Sequence, residues 1–445
     1  MKERIQLSDH FDIKRMLKFT MPSIIMMVFN SVYTVVDGFF VSNFVGKTEF
    51  AAVNFIMPVL MILGTVGFML GAGGNAIVAR SLGQKKAEEA QKQFSLFVYT
   101  GIVLGIVMAG IGIALVKPVA AFLGAEGLML EHCITYGIIV AAASPGFILQ
   151  FEFQNFFITA EKPKLGLYMS VVAGVLNIVL DALFIVAFEW GIVGAALATA
   201  ISQTIGGIVP LLYFSRPNSS LLRLVKTNYV SKWMTKALTN GSSEFMNNIS
   251  FSVVGMLYNF QLMKYAGEDG VAAYGVLMYV NMIFIAVFIG FVTGIAPVVG
   301  YHFGAENHEE LKNLLKKSIA IIGVFSIAML VLGEVCAYPL SWIFVGYDVT
   351  LMDMTLKAFM IYSFSFLFAG FAIFGSAFFT ALSDGVTSAI IAFLRTLLFQ
   401  TAAVIVLPMI FELDGIWYSI IAAEVMAVVL TIVFLVIKRN KYKYW

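Results

Sequence analysis

Apolar runs of about 20 residues or more recur along nearly the whole chain, and at about 1.5 Å per helical residue each can cross a hydrocarbon layer of about 30 Å. Inside such a layer no water pairs with exposed N–H and C=O groups, so only helices or closed barrels can span it. A barrel would alternate apolar and polar residues, whereas YTGIVLGIVMAGIGIALV (99–116) is apolar on every side. With 60% hydrophobic and 12% charged residues, too little polar surface remains to cover a soluble globule. The reading is an all-α integral membrane protein of twelve transmembrane helices. The spans fall at roughly 19–45, 53–79, 94–116, 133–158, 166–188, 192–214, 238–263, 272–300, 315–339, 356–381, 387–411 and 415–437.

Charge sets the expected orientation. If the N-terminus is inside, 23 of the 28 Lys and Arg lie in inner segments, and only Lys47, Lys117, Lys264 and Lys357 lie outside, with Arg395 inside a span. Cytoplasmic loops retain basic residues, so both termini are expected in the cytoplasm of a cell whose plasma membrane the chain crosses. The first apolar run is too long for a cleaved signal and lacks its small-residue cleavage site. A net charge of +2 gives no reason to expect nucleic acid. Cys133 and Cys336 read as buried apolar thiols, and the four His show no metal-ligand spacing.

Sliding the chain on itself by 221 residues aligns 46–89 with 267–310 without a gap, with thirteen of 44 positions identical against about four expected from composition. Matched pairs include Gly46/Gly267, Gly73/Gly294 and Gly83/Gly304. Two pseudo-symmetric six-helix lobes follow: a leader 1–18, an N-lobe 19–214, a basic linker 215–236, a C-lobe 237–438 and a tail 439–445. Because six is even, the repeats are parallel, and the space between them is the natural substrate cavity.

An ionisable residue facing lipid costs several kcal/mol, so Asp37, Glu152, Asp181, Glu244, Arg395 and Glu424 should face protein or water. Asp37 and Asp181 reach similar depths, about 27 and 22 Å along their spans, and Asn177 lies one turn before Asp181 on the same face. If their helices touch, two carboxylates and a carboxamide converge, and like charges in low dielectric hold a proton or a cation between them. At the repeat offset Asp37 faces Tyr258 and Asp181 faces Ala402, so the scaffold itself does not require the acids. Glu244 and Arg395 share a shallower depth in the C-lobe, which permits an ion pair or a gate. Glu244 is equally readable as a cation-binding or substrate-facing acid. Glu152, near the inner end of the fourth span, and Glu424, in the twelfth, are ambiguous, with the wall of a water-exposed cavity the preferred reading.

The stretches VVDGFFVSNFVG, GAGGNAIVARSLGQKKAEEA and NIVLDALFI…GIVGAALAT, in that order, resemble the multidrug and toxic compound extrusion (MATE) transporters, and in particular their bacterial DinF-like and related branches. The resemblance covers about 19–438. It implies export of bulky, cationic or amphipathic compounds against inward proton or sodium flow. It also implies a cation site at Asp37, Asn177, Asp181 and Thr199. Ala182 departs from the pattern, since many relatives have Pro after the Asp, and implies a less bent helix. The expectation is a monomeric secondary antiporter working by alternating access, without cofactor or catalysis, coupled to H⁺, Na⁺ or both. Glu244, Arg395 and Glu152 are further candidates for substrate contact or gating. The alternative is a flippase for a lipid-linked oligosaccharide or other lipid, although an anionic cargo would want more embedded basic residues than Arg395 alone.

Overall fold

The computed structural model describes residues 5–445, apart from the side chain of Lys47. Lys2 and Arg4, two of the basic residues used to orient the chain, lie outside the described residues. The architecture is helical, and the described residues contain no strand. Among the described residues nine helices are individually long and apolar enough to span a membrane. Two helix pairs, Gly127–Ala142 with Ser144–Thr159 and Val349–Ser363 with Phe366–Ala381, form two more spans, bent by 55° and 49°. The 63-residue element Ser242–Gly304 is itself two spans, because Gly267 breaks it with φ 63°. Twelve spans result, the fourth and tenth being the bent pairs.

The paired glycines explain why the repeat is visible in the sequence. Gly46, with φ 152°, ends the first span Ile13–Val45 and opens the second, Thr48–Gly83; Gly267 does the same between the seventh and eighth. Both hold a backbone conformation that a side chain strains, and they stand 221 residues apart. Pro145 opens the second half of the fourth span, where its missing N–H costs nothing. Glu412 breaks Pro408–Tyr442, which separates the eleventh span from the twelfth.

Most helices run several residues beyond the hydropathy bounds, as Ala87–Phe122 does against 94–116, and two differences have a clear local cause. The first helix starts at Ile13, well before residue 19, because the Asp12 carboxylate accepts from the Arg15 N–H at 2.6 Å and caps polar turns that hydropathy passes over. Ser231–Asn240 is a separate helix, laid against the second span. Its buried Met234 and Ala237 sit among polar residues, too short an apolar stripe to register as a span.

The lobes meet through backbone at the end of the bundle that carries both termini. Gly83 rests on the Tyr301 carbonyl and Gly304 on the Arg80 carbonyl, and Arg80/Tyr301 is itself a pair at the repeat offset. Gly73 rests on Ala237 and Gly241 of the other lobe, while its mate Gly294 rests on Thr20. The N-terminal strand of chain reinforces this closure. Leu7 N–H donates to Glu161 in the N-lobe at 2.8 Å, and Phe11 N–H donates to Glu310 in the C-lobe at 2.9 Å, with Leu7 and Phe11 fully buried.

The C-terminal tail docks on the same face. The Tyr442 hydroxyl donates to Asp384 at 2.7 Å, and Lys438 lies 3.4 Å from the same carboxylate. Burial pushes the Asp384 carboxyl up, but hydrogen bonds from Tyr442 and Thr387 and the Lys438 charge outweigh it and hold it below the ordinary range. A depressed carboxylate stabilises the fold at neutral pH and loses that contribution as pH falls through its folded-state value. Asp384→Asn should therefore lower the thermal midpoint at neutral pH and make little difference in acid. Gly83→Val forces a side chain into the Tyr301 backbone and should cost about 1–3 kcal/mol. Gly255→Ala, where the added carbon meets open space, should cost nothing; thermal melts of the purified protein compare the two.

Candidate functional site

The first and fifth spans pack together, as do the fourth and sixth. Asp37 of the first span meets Asp181 and Asn177 of the fifth within interaction distance. Tyr136 of the fourth span lies beside Thr199 of the sixth and within electrostatic reach of both acids. Asp181 is fully buried, and Tyr136, Asn177 and Thr199 are nearly so. Six buried oxygens converge here, Asp37 Oδ1, Asn177 Oδ1, both Asp181 oxygens, Tyr136 OH and Thr199 Oγ1, with one another as polar neighbours and no well-aligned hydrogen bond among the described residues. Buried polar groups are almost always satisfied, so these oxygens form a set of acceptors able to hold a small bound species.

The local backbone turns these residues inward. Residues 182–187, following Asp181, and 41–45, shortly after Asp37, are wound as π-helix. Such segments re-aim the neighbouring turns and recur at functional sites. Ala182 opens one of them, so the fifth span runs on from Pro163 to Ala187 through a change of winding.

Tyr136 was not singled out from the sequence. A lone tyrosine in an apolar span carries no distinguishing signal; only the packing of the fourth span against the sixth reveals it. Five oxygen-bearing side chains, two of them acidic, suit a proton or a hard monovalent cation better than a transition metal. Among the described residues no group of three or more His, Cys, Asp and Glu could hold a metal ion. An apolar cleft lined by Met57, Met61, Phe147 and Gln203 reaches Thr199 from one side.

The other embedded charges lie apart from this cluster. Arg395 does not pair with Glu244. Its Nε donates to both Glu424 oxygens, at 2.9 and 3.1 Å, and its Nη2 donates to one at 2.8 Å. Similar depth did not decide the partner, because rotation about the helix axis decides which neighbour a side chain meets. Glu424 is 2% exposed and so belongs to the protein interior instead of a wet cavity wall. Glu244 makes no ion pair among the described residues, and its backbone carbonyl accepts from Asn248. Glu152, also read from the sequence as a cavity wall, is fully buried with both oxygens unpartnered and faces Gly101 of the third span.

Comparison with known proteins bears on this arrangement. The MatE family model matches twice, at residues 22–183 and 245–406, once in each lobe. The chain belongs to the MatE family. It is 25% identical over 442 residues to the multidrug export protein MepA of Staphylococcus saprophyticus, covering 96% of this chain and 94% of the relative. It is also 25% identical over 435 residues to MepA of Staphylococcus haemolyticus, with the same coverage. A solved MATE structure in complex with MaL6 superposes with a TM-score of 0.94 at 21% identity, over the whole of both chains. This is a MATE family transporter with the family's all-helical fold.

The Arg395–Glu424 pair yields a test of its own. Removing one partner of a buried pair strands the other charge, so Glu424→Gln alone should cost about 3–5 kcal/mol. Adding Arg395→Met to it should restore most of that stability. Detergent-solubilised melting curves of the two variants check both statements.

Proposed function

We propose that this transporter exports bulky cationic or amphipathic organic compounds and exchanges them for H⁺ or Na⁺ at the Asp37–Asp181 cluster. The observation that carries the reading is a cluster of six buried oxygens, three of them from two facing carboxylates, with no ion pair to either acid among the described residues. Two carboxylates in a water-poor site cannot both stay ionised without a compensating positive charge. A proton or sodium ion supplies it, with the Asn177, Tyr136 and Thr199 oxygens completing the shell. The MepA relatives, named as multidrug export proteins, support the substrate class.

Coupling follows from two states. Lobes closed on each other at the terminus-bearing end leave the opposite end free to open, and rocking about the glycine contacts exchanges one opening for the other. An ion that prefers one state and a substrate that prefers the other weaken each other's binding by the same factor. In this reading the terminus-bearing end faces the cytoplasm of a plasma membrane, and the transporter acts as a monomer without a cofactor.

Efflux from proteoliposomes under an imposed pH gradient and, separately, a sodium gradient tests the exchange. Asp37→Asn and Asp181→Asn keep size but remove the charge, and each should abolish gradient-driven export while the protein remains folded. Normal export from both variants would overturn the assignment, and gradient-independent movement of a lipid substrate would favour the flippase reading. For orientation, single cysteines at Glu189 or Glu268 in a Cys-free background should react with impermeant reagents outside intact cells. Those at Lys85 or Asn218 should not; the reverse pattern inverts the topology.

A further inference from the structure

Each lobe carries a buried cluster that includes acidic and phenolic side chains, and equivalent spans supply the two. The N-lobe site draws on the first, fourth, fifth and sixth spans. In the C-lobe the seventh, tenth, eleventh and twelfth spans contribute Tyr258, Tyr362, Arg395 and Glu424. Tyr258 stands at the repeat position of Asp37. It stacks on Tyr274 with ring centroids 5.1 Å apart, and its buried hydroxyl lies beside Ser419 and within electrostatic reach of Glu424. Arg395 rides on a π-helical stretch, Leu394–Phe399, in the eleventh span, as Asp181 adjoins one in the fifth.

The clusters differ in how their acids are compensated. In the N-lobe, among the described residues, no Lys, Arg or His acts on Asp37 or Asp181. In the C-lobe the Glu424 carboxylate is closed by a two-pronged guanidinium with side-chain exposures of 13% for Arg395 and 3% for Glu424. A guanidinium is never deprotonated in a protein and matches a carboxylate with two parallel donors.

We infer that Arg395 is a tethered cation occupying the C-lobe counterpart of the N-lobe ion site, so that ions exchange in the N-lobe alone, and that Glu424 without it becomes a second site for a proton or sodium ion. This rests on the N-lobe reading above. The tether costs no ion from solution and leaves the C-lobe electrostatically the same in both states of the cycle. The duplicated scaffold thus needs only one exchangeable site.

The test counts ions bound to purified protein, by radiolabelled sodium binding and by proton uptake on acidification, and ions released when ethidium is added. Arg395→Met should bind one ion more than the wild type and release more ions per dye bound. The extra ion should survive in Asp37→Asn/Arg395→Met and vanish in Arg395→Met/Glu424→Gln, which should match the wild-type count. A plain structural tie would change stability without adding to dye-driven release. A wild-type count and release in folded Arg395→Met would overturn the inference. So would a count below wild type in the neutral double variant, which keeps the test alive if Arg395→Met alone does not fold. An unchanged ion count in Asp37→Asn would instead sink the N-lobe reading, and the gain on removing Arg395 is read independently of it.

Discussion

Taking a charge out of water into a helix bundle surrounded by lipid costs several kcal/mol, and every embedded ionisable group here answers that cost in a different way. Arg395 and Glu424 answer it by pairing with each other at hydrogen-bond distance. Glu152 is fully buried against Gly101, and among the described residues neither of its oxygens has a hydrogen-bond partner. Asp37 and Asp181 face each other, and among the described residues no protein cation pairs with them, the feature on which the proposed exchange site rests. The rest of the structure holds the two acids in place.

The holding is done by small residues and backbone. Helices in lipid gain little from burying apolar side chains against one another, so close approach depends on residues without bulk. Gly83 on Tyr301, with Gly304 on Arg80, makes a contact that maps onto itself under the pseudo-twofold, and Gly73 and Gly294 repeat the device one layer deeper. Such contacts are sensitive to any added carbon but carry few specific bonds, which suits the separation of the lobes that the proposed exchange requires. The chain from Leu7 to Phe11 adds polar ties to Glu161 and Glu310 on the two lobes. It crosses the very interface that must open if the lobes rock.

Symmetry and its violation carry different information. The glycines at the hairpins and at the crossings obey the repeat because both lobes need the same turns and the same close approach. Asp37 against Tyr258 breaks it, and the tertiary structure shows that the position opposite the acid is also part of a polar cluster, one closed by its own guanidinium.

The fold class, the number of spans and the duplication were legible in the chain, because hydrocarbon thickness dictates run length and a backbone that needs left-handed or crowded positions keeps its glycines in register. The membrane acids were legible too, since charge is rare in such runs and each instance stands out. Hydropathy alone misplaced the start of the first helix, where Asp12 caps polar turns, and absorbed Ser231–Asn240 into its neighbours. Only the packing decided which charges meet. Depth along a span is a property of sequence position, but the face a side chain presents depends on how neighbouring helices are rotated and bent. That rotation brought Tyr136 to the acids, gave Arg395 to Glu424 in place of Glu244, and sealed Glu152 against Gly101, three outcomes set by contacts between residues far apart in the chain.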